Sequence, residues 1–346
     1  MNWYGTYAYN RTRMFQAGGA YAGQNYNRWD VMGDGEIYFK GTTTLENDVK
    51  ISVMAQLEGG TDDSFRNRMW DEVYLSVEGD LGQLLIGSHK NVTARMAVFP
   101  PTAAEVMGAE ETYMTRLLPV SNNVSFLEST FTKIDYLAPK TSYISPTVNN
   151  MTLAVSVTTA NDTRGHDDSV LYVPGNRNYI KYGFVGLARY DKEFEEGSAV
   201  SEINASAFYA RFKPNDLVFS HVAQEVGVGL RVSFGPWSVG SSVRRFLADV
   251  RSQWNDWQGY GVNTGIMYTA DRWAVSANWY ASRVRGDAAV KGNDKVDLYL
   301  ASAKYKLGAG VDAFVDVGYM TMKDDAGNPL DENEGLGTAV GFALAF

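Results

Sequence analysis

The 346-residue chain contains no cysteine, so it can build neither a disulfide framework nor a thiolate metal site. Histidine is almost as scarce. His89, His166 and His221 are scattered, with no spacing that assembles a transition-metal site. No run of roughly 18 apolar residues occurs, which excludes a membrane-spanning helix, and the mean hydropathy is −0.25. A basic excess is also missing: 31 Lys and Arg face 40 acids, and the net charge of −9 argues against a nucleic-acid partner. There is no G-x-S-x-G, no H-E-x-x-H and no phosphate-binding glycine loop, and no carboxylate pair stands out as acid and base, so no enzyme is expected. No secretory leader precedes Trp3, and the patterned start reads as that of a mature exported chain.

What the chain does have is alternation. Glu334 to Phe346 reads EGLGTAVGFALAF, with Leu336, Thr338, Val340, Phe342, Leu344 and Phe346 on one face of a strand and only glycine and alanine on the other. A bulky apolar face backed by a small one suits a transmembrane β-barrel, whose outer side meets lipid and whose inner side meets a crowded or watery lumen. The rhythm recurs over 224–234, 237–246, 259–270, 273–285, 294–308 and 310–325. Further segments fall near 2–15, 27–41, 48–59, 68–79, 83–90, 131–138, 150–159, 178–193 and 199–212. Together these predict an all-β, antiparallel barrel of about sixteen strands occupying 1–346 as one domain, wide enough for an aqueous channel.

The connections are sorted as regularly as the faces. Gly235-Pro236, Ala270-Asp271-Arg272 and Leu307-Gly308-Ala309-Gly310 are tight, whereas 247–258, 286–293 and 324–333 are longer and charged. Short turns at one rim and long loops at the other are the habit of outer-membrane barrels. Trp237, Trp273, Tyr305 and Phe346 gather near the short-turn rim, as a membrane-interface girdle would. One connection breaks the rhythm. Asn91 to Thr130 shows no clean alternation and contains Pro100-Pro101, a length that points to function or to a plug.

Five stretches in order, WDEVYLSVEGDLGQLLIGS (Trp70–Ser88), FTKIDYLAPK (Phe131–Lys140), VGVGLRVSFGPWSVGSSV (Val226–Val243), DLYLASAKYKLGAGVDAFVDVGY (Asp297–Tyr319) and the terminal GFALAF, resemble the Gram-negative outer-membrane porins, particularly the alphaproteobacterial general diffusion type. The resemblance implies a homotrimer in the outer membrane that passes small hydrophilic solutes. It also implies short periplasmic turns, long extracellular loops and a third loop, here 91–130, folded inward. Its implied partners are outer-membrane lipid and lipopolysaccharide, and the barrel-assembly machinery through the strand ending in Phe346.

A pore discriminates by width and by the charges at its narrowest point. The expected constriction sets acidic Glu105, Glu110 and Glu111, with Glu72 and Asp135, against basic wall residues Arg28, Lys50, Lys133, Lys181, Arg231 and Arg244. Asp34 and Glu36 add acids to the lumen, and the net negative charge hints at mild cation preference. No cofactor is expected. Asp62-Asp63, Asp167-Asp168 and the run from Asp324 to Glu334 offer carboxylates to calcium, but none has the ligand spacing of a dedicated calcium loop. Three alternatives stay open: a porin selective for a sugar, phosphate or dicarboxylate, a non-conducting structural or adhesion barrel, and a soluble β-sandwich binding protein.

Overall fold

The alternation becomes a closed antiparallel barrel in a computed structural model that describes residues 1–24, 26–60, 70–121, 123–162, 179–195, 197–214, 222–247, 250–251, 256–285 and 292–345. Side chains are described throughout these residues except at 60, 111–112, 160–162, 179–181, 214, 250–251 and 256–257. Sixteen strands form the wall: β1 Asn2–Thr12, β2 Trp29–Thr44, β3 Lys50–Gly60, β4 Trp70–Gly79, β5 Gly82–Ser88, β6 Pro139–Ile144, β7 Met151–Asp162, β8 Tyr179–Glu193, β9 Glu202–Pro214, β10 Ala223–Phe234, β11 Trp237–Phe246, β13 Asp256–Ala270, β14 Trp273–Arg285, β15 Asp294–Gly308, β16 Val311–Lys323 and β17 Asn333–Leu344. The two-residue β12, Val250–Arg251, is a ribbon on the start of β13.

Each strand pairs with its sequence neighbours, and the ring closes where β1 meets β17 in unbroken register from Asn2↔Ala343 to Thr12↔Asn333. The Met1 amino group adds a bond of 2.8 Å to the Leu344 carbonyl. Closure leaves no unpaired edge, as a backbone surrounded by hydrocarbon requires. At one rim the turns are tight, as at Gly235-Pro236, where Gly235 at φ 54° occupies a position that a side chain would strain. The longer connections all leave the opposite rim.

Side chains obey the pleat. On β16, Val315, Val317 and Tyr319 point outward and are exposed, while Phe314, Asp316, Met320 and Met322 point inward and are buried. The outward aromatics form rows in register. Trp273 packs on Tyr305 (4.5 Å between ring centres) and Trp237 on Tyr268 (4.8 Å) near the short-turn rim. Six residues further along, Trp279, Tyr299, Tyr319, Leu336 and Tyr9 lie side by side on five adjacent strands. Phe346 lies outside the described residues.

Two expectations differ from what is observed. First, β1 stops at Thr12, Met14 beyond it is buried, and the hydroxyls of Tyr21 and Tyr26 donate to the loop carbonyls of Val120 and Leu117. Second, 131–138 is not a strand: β6 begins at Pro139, and the described residues between His89 and Ala138 run inside the barrel. The alternation of FTKIDYLA reflects burial on all sides, for Phe131, Thr132, Asp135, Leu137 and Ala138 are all buried. Its backbone bonds locally, Tyr136 N–H to the Lys133 carbonyl and Ala138 N–H to that of Asp135.

The inner face is not uniformly polar. Val296, Leu298, Leu300, Phe314, Met320 and Met322 project inward from β15 and β16 and form an apolar cluster with Met107, Met114 and Leu118 of the inward loop. A second cluster joins Val92 and Leu127 of the loop to Val185, Leu187, Phe208, Phe212 and Phe246 of the wall, so the core of this barrel lies between loop and wall.

Candidate functional site

The inward loop is built from its root upward. Glu72, inward on β4, accepts the Lys90 N–H at 2.7 Å and the Arg95 guanidinium at 2.6 Å. Asn91 caps the short helix α1, Val92–Met96: its side-chain oxygen accepts the N–H groups of Thr93 (3.0 Å) and Ala94 (3.1 Å), leaving fewer orphan donors. Its amide nitrogen donates to Asp135 at 2.6 Å, and Asp135 also accepts the Thr158 hydroxyl at 2.8 Å. The buried ammonium of Lys140 donates to the carbonyls of His89 (2.7 Å) and Ala138 (2.5 Å), tying the two ends of the loop together. His89 itself is fully buried against Tyr74, and neither ring nitrogen has a partner. Burial first, then the charges of Lys140 and Arg95, pull its pKa down to about 4.

Beyond the root, the loop backbone lies on the inner wall, and wall side chains take its hydrogen bonds. Val98 N–H donates to Ser206 (2.8 Å), Ala103 N–H to Ser276 (2.9 Å) and Leu127 N–H to Ser282 (2.8 Å), while Asn278 donates to the Pro101 carbonyl (3.0 Å). One carboxylate oxygen of Asp316 accepts three successive N–H groups, from Glu105 (3.3 Å), Val106 (3.0 Å) and Met107 (3.1 Å). Glycine makes room for this contact. A Cβ at Gly229 would lie 1.9 Å from the Val98 oxygen, and one at Gly265 2.9 Å from that of Pro101.

The expected constriction residues fall into this seating. Glu110 stands in the 3-10 turn Glu110–Arg116, where its carboxylate accepts the Thr130 N–H (2.7 Å), the Thr130 hydroxyl (2.5 Å) and the Asn263 amide (2.9 Å). Burial raises its pKa, against the opposing pull of Thr130, Asn263 and Arg244. Arg244 is buried beside it, donating to the Phe131 carbonyl, 3.6 Å from the buried Glu225. Glu105 pairs with Lys304 at 2.7 Å, and Lys133 pairs with Glu128 at 3.1 Å. Arg231 donates to Asn204 (3.1 Å), which donates to Asp191 (2.7 Å), a carboxylate that Arg189 grips at 2.6 and 2.9 Å. Arg28 lies over the ring of Tyr9, and Lys50 sits at the short-turn rim opposite Glu78, so the structure does not bring either to the loop. The side chains of Glu111 and Lys181 lie outside those described.

The first half of the loop runs along β7 to β10, where Ser156, Arg189, Ser206 and Gly229 meet it, and further charges face the lumen from β2 and β3. On β2 and β3 the inward face carries Asp34, Glu36, Tyr38 and Glu58, with Glu36 directly opposite Glu58 in the register. On β8 and β10 it carries Arg189 and Arg231. Lys304, Asp316, Glu58 and Arg189 were not among the residues expected from sequence. The alternation places each on an inward face, yet nothing local shows which inward groups meet the loop. Among the described residues, Asp294, Asp324 and Asp325 bring carboxylate oxygens within 4.8 Å of one another at the long-loop rim. Asp294 there accepts the N–H groups of Ser125 (2.6 Å) and Asp325 (2.8 Å).

The family model for Gram-negative porins matches residues 3–325. The chain belongs to the Gram-negative porin family. This porin has the fold of the anion-selective porin from Comamonas acidovorans, with a TM-score of 0.65 at 13% identity over 100% of this chain and 98% of that one. OmpF of Salmonella typhi, solved in complex with daunomycin, gives 0.60 at 12% identity over 98% and 96%. A mutant of the Rh. blastica porin gives 0.56 at 15% identity over 100% and 99%. No curated protein sequence matches this porin.

Proposed function

We propose that this porin is a water-filled channel in the outer membrane, assembled as a homotrimer, through which ions and small hydrophilic solutes diffuse passively. One observation carries the reading. The loop is fastened to the wall by its own carboxylates, and charged side chains on β2, β3, β8 and β10 face the lumen. A pore so lined presents hydrated ions and polar solutes with a passage and no site that must be filled.

The finer reading is a mild cation preference. Glu36 and Glu58 lie directly opposite each other, with Asp34 two residues along β2, and this concentrates negative charge on one wall. Arg231 on β10 places a cation on the far wall beside the Arg189–Asp191 pair of β8, and the two walls set a transverse field that aligns dipolar solutes. On this reading Glu105, Glu110, Glu72 and Asp135 shape the opening by holding the loop, and selectivity rests with the wall carboxylates. Lipid and lipopolysaccharide surround the barrel, and its last strand is the segment offered to the barrel-assembly machinery.

Two measurements test this. Swelling of proteoliposomes in uncharged sugars should slow steadily with solute size, and saturation by one sugar would instead mark a substrate-selective porin. Under a salt gradient the reversal potential should indicate cations, and Glu36→Gln with Glu58→Gln should move it toward zero. A reversal potential of opposite sign would replace the cation reading with an anion-selective one, the selectivity for which the Comamonas acidovorans porin is named.

A further inference from the structure

Closing the ring joins the two ends of the chain, for Asn2 pairs with Ala343 and Thr12 with Asn333. No other strand pair is so distant in sequence, so this seam carries the largest loop-closure entropy of the barrel. On its outer face Arg11 meets Glu334 at 3.5 Å, an exposed ion pair that adds little. The inner face is different, because the far end of the inward loop lies against it.

Contacts reach that end of the loop from both sides of the seam. From beyond β1, the Tyr26 hydroxyl donates to the Leu117 carbonyl at 2.7 Å and the Tyr21 hydroxyl to the Val120 carbonyl at 2.9 Å. From the β17 side, the Asn333 amide donates to the Pro119 carbonyl at 2.8 Å. Asp331 accepts the Ser121 hydroxyl and, at 3.1 Å, the Asn123 amide. Ser121, Asp331 and Asn333 are all buried. The two sides are also tied to each other, since the Thr12 hydroxyl donates to the Glu332 carbonyl at 2.8 Å. Beneath these bonds, one apolar cluster takes in Tyr4 and Ala8 of β1, Ala339 of β17, and Met114, Leu118 and Val124 of the loop.

We propose that this end of the inward loop bolts the barrel's closure seam, holding the first and last strands together from inside in addition to shaping the opening. A segment that only narrowed the channel would need one wall to rest on. Here the positions from Leu117 to Asn123 take one set of bonds from the β1 side and another from the β17 side. If the seam parts, the loop can keep only one set. Buried groups such as the Asp331 carboxylate then lose their donors, which makes opening unfavourable. The loop end stands 91 and 99 residues from Tyr26 and Tyr21, and 208 to 214 residues from Asp331 and Asn333. It therefore divides the longest closure in the chain into two shorter ones. The inference does not rest on conduction, because a plugged barrel with this seam would be bolted in the same way.

The test is hydrogen exchange, read by mass spectrometry on the full-length porin in detergent micelles. In the triple variant Tyr21→Phe, Tyr26→Phe, Asp331→Ala, peptides from β1 and β17 should exchange about tenfold faster than in the wild type, as the loss of several hydrogen bonds predicts. Peptides from β7 and β8, far from the seam, should keep their wild-type rates. Asp331→Asn in place of the alanine retains one acceptor oxygen and should restore part of the protection. Ser206→Ala removes the acceptor of the Val98 N–H on the β9 wall, so it loosens the loop elsewhere and should leave the seam protected. Unchanged exchange at the seam, or an equal rise in every strand, overturns the proposal. So does a Ser206→Ala variant that opens the seam as far as the triple variant. If the triple variant does not fold, Tyr26→Phe alone decides by the same pattern at about threefold. Single-channel conductance is recorded separately on the same samples. An open channel whose seam ignores the loop removes only the bolt, whereas a silent wild type with a loop-dependent seam removes only the channel reading.

Discussion

Gly337 and Met114 are in such close contact that a Cβ added to the glycine would lie 2.7 Å from the methionine's terminal methyl and 2.8 Å from its sulfur. The small inner face of the last strand is thus a seat for the loop. Gly335 behaves the same way toward Leu118, whose methyl would meet a Cβ at 2.7 Å. The loop therefore reaches β17 only because that strand carries no inward side chains there.

Gly337→Val should push the 3-10 turn off the wall. Overpacking a close-packed contact costs about 1–3 kcal/mol, so the barrel should survive with a lower unfolding temperature. Displacing the turn changes the width of the opening, and single-channel conductance should shift from the wild-type value. Gly5→Val, on the outward face with nothing within 4 Å of its Cβ, should leave conductance alone.

Asp316 is the anchor for the stretch Glu105 to Met107. Asp316→Ala leaves three N–H groups without their acceptor, and a buried unpaired donor costs about 1–3 kcal/mol. Asp316→Asn keeps an acceptor oxygen but loses its charge, so its effect should be smaller. The expected readout is current noise from a loosened loop, greatest in the alanine variant, together with a reduced unfolding temperature in the same order.

His89 makes the loop root acid-sensitive. Its folded pKa, lowered to about 4 from an ordinary 6.5, means that the unfolded chain takes up this proton first as pH falls. Stability from this group is complete above pH 6.5 and is lost as pH falls toward about 4, amounting to about 3 kcal/mol over the whole window. His89→Phe should flatten that part of the pH–stability curve in thermal unfolding. A variant with the same acid loss as the wild type would assign the effect to other groups.

Glu110 acts with the opposite sign. Its pKa is raised, so the folded state holds a proton that the unfolded state releases first. This group therefore favours the fold below the ordinary carboxylate pKa, and that contribution disappears as pH rises through the folded value. Glu110→Gln keeps the side chain's shape and removes the titration. Relative to the wild type it should gain stability as pH is raised from acid to neutral, measured as the difference in unfolding temperature between the two proteins.

Much of the architecture is legible in the chain because a strand writes its two faces locally. Trp237, Trp273 and Tyr305 take outward positions beside the short turns, and the turn at Gly235-Pro236 falls where the alternation breaks. The loop is legible only as an interruption. Its partners are distant in sequence: Glu105 meets Lys304, and the N–H of Val106 meets Asp316, 210 residues away. Charge alone made Glu110 resemble an opening residue. What assigns it to the seam is contact with Thr130 and Asn263, which no local pattern encodes. The same cause explains FTKIDYLA, where packing on all sides imitates a pleat. Val296, Leu298 and Leu300 are apolar on an inward face for that reason too, since the wall there meets the loop and not water.

The most direct test of the central claim is single-channel recording of the wild-type protein in a planar bilayer. An open pore beside a fastened loop predicts insertion events in three equal steps, with conductance rising in proportion to salt and without saturation. A folded, inserted barrel that stays silent, or whose current saturates at low salt, would contradict a water-filled passage and leave the inward loop as a plug.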